Sequence, residues 1–443
     1  MPEPNGLKQV ALDIFFEALR SADPMEAVHR HFRVKDNLLQ FGEVDYFLNQ
    51  FRAIWVIGAG KASARMAKAI EQALGDKITG GLIITKYGNR EMLQKIQVRE
   101  AGHPIPDLQA LKASQELIEL CHKFQKDDLV IALISGGASA LLSAPAGDIS
   151  LEDKQLTTEL MLKAGMRIGE INLVRKHISR LKGGRLAKLV YPATMVSLIL
   201  SDVIGDPLET IGSGPTAPDP SSFQQAIECL RNYQLWDQLP DSVRRLLEMG
   251  DKGQWEETLK PNDPVFKRVQ NLIVGSNYLS LQSAKHYAQK LGFHTIILSS
   301  AIQGEAKELA HFYGAIFQEL KKSANPCPSP ACIIAGGEPT VTVKGDGKGG
   351  RAQELALAVA LKIDGLIGAV FLSAGTDGSD GLTDSAGAIS DWTTIARARA
   401  KNMAPMEYLN RNDSYNFFYP LGDLVITGPT GTNVMDIHIL LVG

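Results

Sequence analysis

The chain has 443 residues, enough for two or three domains of roughly 100–200 residues each. Its composition is typical of a soluble globular protein, with 44% hydrophobic and 21% charged residues, and its formal net charge is −3. This charge excludes a global electrostatic attraction to nucleic acid or to an anionic membrane, so any basic site must be local. The four cysteines form no CxxC pair, which excludes a cysteine-rich zinc motif and is typical of a reducing cytoplasm.

The amino terminus and the longest uncharged run both argue against a membrane or secretory role. The first residues lack the basic and apolar segments of a signal peptide. The uncharged run at residues 129–147 is interrupted by Gly136, Gly137, Pro145 and Gly147, so it predicts a buried strand followed by a glycine loop. We therefore expect neither a membrane partner nor a nucleic-acid partner.

Apolar strands, glycine turns and helices alternate along the whole chain. The predicted helices are residues 7–20, a helix ending at 74, residues 108–124, several helices within 151–188, and helices that begin at 305 and at 351. The predicted strands are residues 53–57, 81–85, 129–134, 195–200, 272–275, 295–298, 331–335, a short β-branched strand after Gly337, 369–373, 424–427 and 436–442. Uninterrupted apolar strands favour mostly parallel sheets that are covered on both faces.

A polar stretch at residues 251–263 is the predicted linker between two α/β domains, residues 1–263 and residues 264–443. In each domain, polar loops follow the carboxyl ends of the strands, where open α/β sheets bind ligands. Two such sheet edges facing each other would form an interdomain cleft, which is the expected ligand site.

The most informative segment is residues 336–351. A double glycine and Glu338 follow an apolar strand, and a glycine loop with Lys344, Lys348 and Arg351 leads directly into a helix. Backbone N–H groups at a helix start attract anions, and glycines let a phosphate approach closely. With three cations beside it, the loop predicts a polyphosphate site, and a solvated hairpin loop is the alternative.

A second glycine turn, Gly58-Ala59-Gly60-Lys61, also lies between a strand and a helix. It fails as a dinucleotide fingerprint because Ser63 occupies the third glycine position and the next strand ends at Lys86 without an acid for a ribose. It fails as a Walker A loop because Trp55 stands where the first glycine is needed. The turn predicts that Lys61 binds a carboxylate or a phosphate, and an exposed lysine on a tight turn is the alternative.

The loop after the strand at residues 129–134 and the acid after the strand at residues 195–200 are further candidates. Ser135-Gly136-Gly137-Ala138-Ser139 offers backbone N–H groups and two hydroxyls as a small-anion nest. It has no nucleophile elbow, so acyl transfer is not expected. Asp202 is predicted either to bind Mg²⁺ or to orient a substrate hydroxyl, and the alternative is an aspartate that only forms a turn.

Two charged segments complete the candidates. Asp377, Asp380 and Asp384 do not have the spacing of an EF-hand. They predict either Mg²⁺ held by carboxylates and substrate phosphates, or an Asx-turn loop without a ligand. The basic segment at residues 172–182 predicts a helix that either lines the cleft or presents a solvated face.

These motifs together resemble a known family. The chain resembles the amino-terminal half of the glycerate 2-kinases at residues 56–63, 102–107, 135–141, 174–186, 201–207 and 212–216, and their carboxyl-terminal MOFRL domain at residues 336–343, 349–354 and 375–381. The resemblance covers nearly the whole chain and implies two Rossmann-like α/β domains. It also implies ATP- and Mg²⁺-dependent transfer of a phosphoryl group to the 2-hydroxyl of D-glycerate, giving 2-phosphoglycerate.

The resemblance assigns roles to two residues, and the motifs suggest roles for the others. The family's motif lysine and arginine, the positions most closely tied to its activity, fall on Lys61 and Arg351, and Asp202 is the predicted acceptor of the hydroxyl proton. The residues predicted to hold glycerate and the transferred phosphoryl group are His103, Ser135, Gly136, Gly137, Ser139 and Lys182. The residues predicted to bind ATP are Ser213, Gly347, Lys348, Gly349, Gly350 and Glu354, and those predicted to support Mg²⁺ are Asp202, Glu338 and Asp377.

Two other functions remain open at this point. Members of the family have often been named hydroxypyruvate reductases, so an NAD(P)H-dependent hydroxypyruvate reductase is the alternative enzyme. A non-catalytic regulator that binds a sugar acid or a nucleotide is the third reading. The sequence leaves open which domain binds ATP, which carboxylate binds Mg²⁺, and whether the protein forms a homodimer.

Overall fold

The structure is a computed structural model that describes residues 4–443. Its strands are β1 (Phe32–Lys35), β2 (Leu38–Phe41), β3 (Val44–Phe47), β4 (Ala53–Ala59), β5 (Gly80–Lys86), β6 (Ile96–Ala101), β7 (Asp128–Ile134), β8 (Thr194–Leu200), β9 (Val269–Gly275), β10 (His294–Glu305), β11 (Ala331–Thr340), β12 (Ala369–Gly375), β13 (Gly387–Asp391), β14 (Leu424–Val425) and β15 (Asp436–Val442). The strands alternate with helices along most of the chain, as the sequence predicted.

The helices are α1 (Pro4–Ser21), α2 (Pro24–His31), α3 (Ser63–Leu74), α4 (Leu108–Cys121), α5 (Ala138–Leu141), α6 (Leu151–Lys163), α7 (Ile168–His177), α8 (Arg185–Val190), α9 (Phe223–Asn232), α10 (Asp241–Asp251), α11 (Asn277–Lys290), α12 (Ala306–Ser323), α13 (Arg351–Lys362), α14 (Thr394–Ala400), α15 (Pro405–Asn410) and α16 (Ser414–Phe418). Across residues 4–443, none of these helices has the length and apolarity that crossing a membrane requires.

The first compact unit comprises residues 27–201 and 206–274. Its main sheet has the strand order β6-β5-β4-β7-β8-β9, and the four pairs from β6 to β8 are parallel. All seven residues of β7 are buried, which is typical of a parallel strand covered on both faces. The strand order reverses between β4 and β7, so the loops after these two strands meet at a topological switch point.

The second compact unit holds residues 202–205 and 275–443 together with the amino-terminal residues up to 26. Its sheet has the order β10-β11-β15-β12-β13-β14. Here only β10 and β11 are parallel, and the other four pairs are antiparallel. The predicted α/β class is confirmed, but this sheet is mixed rather than mostly parallel, because β15 inserts antiparallel between β11 and β12.

Two apolar clusters cover the faces of this second sheet. Ile333 and Phe371 face a cluster that includes buried residues of α12 and α13. Ile334 and Val370 face the opposite cluster, which includes buried residues of α1 and α11. Successive strand residues point to opposite faces, so both faces of the sheet are buried against helices.

The compact units follow different limits from the predicted domains at two places. Helix α1 packs in the second unit, although it lies at the amino terminus. Residues 251–263 lie within the first unit, where Leu259 donates its N–H to Gly183 O at 3.1 Å and accepts from Asp219 N at 2.8 Å. The domain limits 1–263 and 264–443 stay a prediction.

Candidate functional site

The Lys61 turn and the Ser135–Ser139 loop lie side by side at the switch point of the first sheet, after β4 and β7. The N–H groups of the turn are bonded to neighbouring strand ends: Gly60 N donates to Ile84 O at 3.1 Å, Lys61 N to Gly136 O at 2.9 Å, and Ala62 N to Ser135 Oγ at 3.0 Å. None of these three N–H groups is therefore available to a dinucleotide pyrophosphate.

The two glycines of the turn allow it to approach β7 closely. A Cβ on Gly58 would lie 2.1 Å from Leu133 O, and a Cβ on Gly60 would lie 2.0 Å from Ser135 Oγ. The Ser135 hydroxyl is buried under the turn and also bonds the hydroxyl of Ser63 at 3.2 Å. These contacts give Ser135 a role in holding the turn, and its predicted contact with substrate stays a prediction.

The loop after β7 presents backbone donors and two side chains. Gly137 has a left-handed φ of +87°, and within residues 4–443 the N–H groups of Gly136 and Gly137 have no hydrogen-bond partner. A Cβ on Gly137 would lie 2.9 Å from His103 Cδ2 and 3.3 Å from Lys61 Cγ, so both side chains border this loop. This arrangement has the features of the predicted anion nest.

His103 is neutral at neutral pH. Burial, followed by the charges of Lys61 and Lys86, lowers the pKa of the imidazole to about 4. A neutral imidazole can donate one hydrogen bond and accept another, and it adds no charge to the nest. The positive charge beside the loop therefore comes from lysines.

A cavity of about 600 Å³ lies beside the same loop. Four residues of the predicted substrate set line it, namely His103, Gly137, Ser139 and Lys182. Two further basic side chains also line it: Lys154 from α6, which was in no predicted set, and Arg175 from α7, which belongs to the basic segment at residues 172–182.

The lysines of this cavity are buried without an acid. Lys182 Nζ donates to Ser139 O at 2.6 Å and to Leu142 O at 3.3 Å, and Lys154 Nζ donates to Ser143 Oγ at 2.8 Å. Burial, with Arg175 adding to it, lowers the pKa of Lys154 to about 7, and burial also lowers that of Lys182 well below its usual value. Buried cations without a counter-charge are costly, and an anionic ligand would offset that cost.

Sequence reasoning missed Lys154, although a signal was present. The buried positions of α6 are Leu151, Lys154, Thr157 and Met161, a helical stripe in which one member is a lysine. A lysine on the buried face of a helix is rare unless it is paired or functional.

The basic segment at residues 172–182 is not a solvated face. Helix α7 ends at His177, and Lys176 is buried in an ion pair with Asp219 at 3.2 Å. Ser213, predicted to bind ATP, lies beside the cavity loop, because its hydroxyl bonds Ser139 Oγ at 2.8 Å and Asn172 Oδ1 at 3.1 Å. The structure therefore groups Ser213 with the predicted substrate residues.

In the second unit, Arg351 is held by two carboxylates at the start of α13. Its Nε and Nη2 donate to the two oxygens of Asp436 at 2.8 and 3.0 Å, and Nη1 donates to Glu338 Oε1 at 2.6 Å. Burial opposes the charge, but the hydrogen bonds and charge of Asp436 raise the pKa of Arg351 above its usual value. Asp436 was predicted only as a strand residue.

The glycine loop before α13 differs from the predicted phosphate cradle. Its N–H groups bond the segment after α15: Lys344 and Gly345 donate to Asn412 Oδ1 at 2.9 and 3.0 Å, and Lys348 donates to Asp413 Oδ1 at 2.8 Å. Gly347 N likewise donates to Arg411 O at 2.9 Å. These four N–H groups are therefore not open to a phosphate, and phosphate binding by the loop stays a prediction.

The loop glycines and the helix start are filled by the protein itself. A Cβ on Gly347 would lie 2.4 Å from Asp413 Cβ, and one on Gly349 would lie 2.2 Å from Ser414 Oγ. A Cβ on Gly350 would lie 2.3 Å from Asp380 Oδ1, whose carboxylate accepts the first N–H groups of α13. The glycines thus make room for neighbouring segments of the same polypeptide.

The other predicted ATP residues in this unit also have partners. Glu354 is buried and accepts from Asn412 Nδ2 at 2.8 Å, which holds the segment packed on the loop. Lys348 Nζ lies 3.8 Å from the centre of the Tyr415 ring. Nucleotide binding by Gly347, Lys348, Gly349, Gly350 and Glu354 stays a prediction.

The predicted metal-binding residues do not form a preformed metal site among the described residues. No cluster of three or more His, Cys, Asp or Glu side chains suited to a metal occurs between residues 4 and 443. Asp377 is exposed and its carboxylate accepts from Ser379 N at 3.1 Å, which is the Asx turn of the alternative prediction. Glu338 is half exposed beside Arg351, and Asp202 is partly buried after β8.

Replacing Asp380 by asparagine is expected to raise the Tm more at pH 8 than at pH 5. Burial and the nearby Asp436 raise the pKa of Asp380 to about 7 in the folded protein, above its usual value near 4. The folded state therefore holds this proton more tightly, and its stability falls as the pH rises from about 4 through 7. Thermal unfolding at both pH values measures the effect. Asp384→Asn, an exposed acid of the same loop, is the control, and an equal gain in both variants would contradict the assignment.

Comparison with known proteins gives matches over almost the entire chain. Residues 10–248 match the model of a family described as a domain of unknown function, DUF4147, and residues 331–436 match the MOFRL family model. The chain is 42% identical over 437 residues to the glycerate 2-kinase of Pyrococcus horikoshii, covering 98% of this chain and 97% of that protein. It is 40% identical over 443 residues to the D-glycerate 2-kinase of Thermotoga maritima, covering 100% of both. The crystal structure of the Thermotoga maritima glycerate kinase matches with a TM-score of 0.89 at 39% identity, covering 99% of this chain and 100% of that chain.

Proposed function

Because the chain belongs to the glycerate 2-kinase family, as its motifs predicted, we propose that it transfers the γ-phosphoryl group of ATP to the 2-hydroxyl of D-glycerate. The products are 2-phosphoglycerate and ADP. The observation that carries the proposal is the switch point of the first sheet, where the Lys61 side chain and the free N–H groups of Gly136 and Gly137 border one loop.

Phosphoryl transfer requires positioning and charge neutralisation more than covalent chemistry. In the proposed mechanism, Lys61 neutralises charge on the moving phosphoryl group, since its side chain borders Gly137 in the loop that holds the anion. The N–H groups of Gly136 and Gly137 hold oxygens of the anionic ligand, and the neutral His103 ring orients the acceptor. Asp202 accepts the proton of the 2-hydroxyl group.

ATP is the co-substrate in this proposal, and Mg²⁺ accompanies it. Mg²⁺ is held through one or two carboxylates plus substrate phosphates, so a complete protein cage is not required. Glu338 and Asp377 fit this role because both present exposed carboxylate oxygens. When bound, the ion would neutralise charge on the nucleotide phosphates.

One assay pair tests the activity. ADP release with D-glycerate is expected, together with the ³¹P NMR signal of 2-phosphoglycerate. A signal from 3-phosphoglycerate would contradict the position of transfer. Oxidation of NADH or NADPH with hydroxypyruvate, without ADP release, would favour the reductase, and no turnover of any hydroxy acid would favour a binding protein.

We further propose small-molecule substrates in a cytoplasmic setting, with neither a nucleic acid nor a membrane as partner. The support is the net charge of −3 and the four cysteines, all of which are free thiols. A homodimer stays open, and light scattering of the purified protein would decide it.

A further inference from the structure

The cavity beside the Ser135–Ser139 loop is lined by three basic side chains to which the proposed phosphoryl transfer assigns no role. Three cations line it: Lys154 and Lys182 are almost fully buried, with 4% and 0% of their surface exposed, and Arg175 is partly buried. They come from α6, from α7 and from the loop after α7, so the fold brings them together from separate elements.

The wall of the cavity supplies no acid that neutralises these cations. Its only carboxylate belongs to Glu159, which is exposed and pairs with Lys163 at 2.5 Å on α6. The two buried ammonium groups instead donate to Ser143 Oγ and to the carbonyls of Ser139 and Leu142. Neutral acceptors orient these groups but leave their charge uncompensated.

We propose that Lys154, Lys182 and Arg175 form a subsite for the carboxylate of the acceptor, which makes this protein select hydroxy acids against the corresponding polyols. The inference rests on the proposed function, because it assigns one end of the proposed acceptor. Lys182 was already a predicted substrate residue, whereas Lys154 and Arg175 extend that set.

The residues of the cavity wall differ in burial, and this difference suggests where each end of the acceptor binds. His103, Gly137 and Ser139 are partly exposed, and His103 and Gly137 adjoin the Lys61 side chain, where the reacting hydroxyl is proposed to bind. Lys154 and Lys182 are closed off from solvent, which suits a group that stays on the acceptor throughout the reaction. A site whose buried donors bind an anion also discriminates strongly against an analogue that lacks the anionic group.

The proposed subsite predicts that acceptor binding weakens as the pH rises. The charged and titratable groups that line the cavity with Lys154 are His103, Glu159, Arg175 and Lys182. In the empty cavity the pKa of Lys154 is about 7, so its charged fraction falls as the pH rises above neutrality. A bound carboxylate favours the charged form, so KM for D-glycerate is expected to rise above pH 7 while KM for ATP stays unchanged.

The test compares D-glycerate binding to the wild type and to Lys154→Met by calorimetry without nucleotide. We expect the variant to bind D-glycerate at least about tenfold more weakly. We also expect its Tm without ligand to equal or exceed that of the wild type, because an apolar side chain replaces a buried unpaired cation. Lys112→Met is the control, since it removes an exposed lysine that does not line the cavity, and it should bind like the wild type.

Each outcome decides between the subsite and a structural role. Unchanged D-glycerate affinity in Lys154→Met would overturn the subsite, and so would an equal loss in Lys112→Met. Glycerol should bind no variant measurably, and wild-type binding of glycerol as tight as that of glycerate would also overturn it. The ADP assay on the wild type reports separately on the proposed function, because it does not depend on Lys154→Met.

Discussion

Lys61→Met is expected to lower kcat/KM for D-glycerate by at least about 10²-fold with little change in Tm. Lys61 is partly exposed, so replacing its ammonium group is expected to cost little stability. Methionine preserves the length of the stem that borders Gly137. The fold should therefore tolerate the change, and the loss should appear in the phosphoryl-transfer step.

Steady-state kinetics of ADP release and thermal unfolding measure these two effects separately. Lys68→Met is the matched control: Lys68 lies on α3 and pairs with Glu91 at 2.8 Å, and both side chains are partly exposed. A partly exposed pair of this kind contributes modestly to stability. Near-normal turnover in Lys61→Met, or an equal loss in Lys68→Met, would contradict the proposed role of Lys61.

Arg351→Ala is expected to reduce kcat/KM by at least about 10²-fold and, unlike Lys61→Met, to lower stability as well. Asp436 is buried and receives two hydrogen bonds from Arg351. Removing one partner of a buried pair typically costs about 3–5 kcal/mol, because the remaining charge is left uncompensated. Burial raises the pKa of Asp436, and the charges of Glu338 and Asp377 raise it further, so the carboxylate left without Arg351 would stand in an unfavourable environment.

The double variant Arg351→Ala, Asp436→Asn separates the two effects. It removes both partners, so its Tm should lie above that of Arg351→Ala. If its activity stays as low as that of the single variant, Arg351 acts on the reaction as well as on the fold. Recovery of activity together with Tm would assign Arg351 a structural role only.

The sequence predicted the central strands of the first sheet closely because their burial is nearly complete. Residues 129–134 were predicted, and β7 spans Asp128–Ile134. The three-stranded meander β1–β3 was missed, because β3 is largely exposed and has no apolar pattern to detect. Short strands of this kind are stabilised by tertiary contacts that local sequence does not encode.

The glycine-rich segments show where sequence reasoning about the site reaches its limit. Gly336 and Gly337 were predicted to interrupt the strand, yet β11 runs through them. A Cβ on Gly336 would lie 2.1 Å from Asn277 Oδ1, and one on Gly337 would lie 2.1 Å from Ile302 O. A glycine indicates close approach, but only the fold reveals whether the approaching group is a ligand or the protein's own chain.

The position of β15 has a consequence for how the protein is made. This strand comes last in the chain, yet it lies between β11 and β12 in the interior of the second sheet, and α1 from the opposite end covers one face. During synthesis the first unit can complete its sheet once residue 274 has emerged, whereas the second must wait for the final residues. Until residues 436–442 are made, the facing edges of β11 and β12 lack their partner strand, and unpaired strand edges favour aggregation.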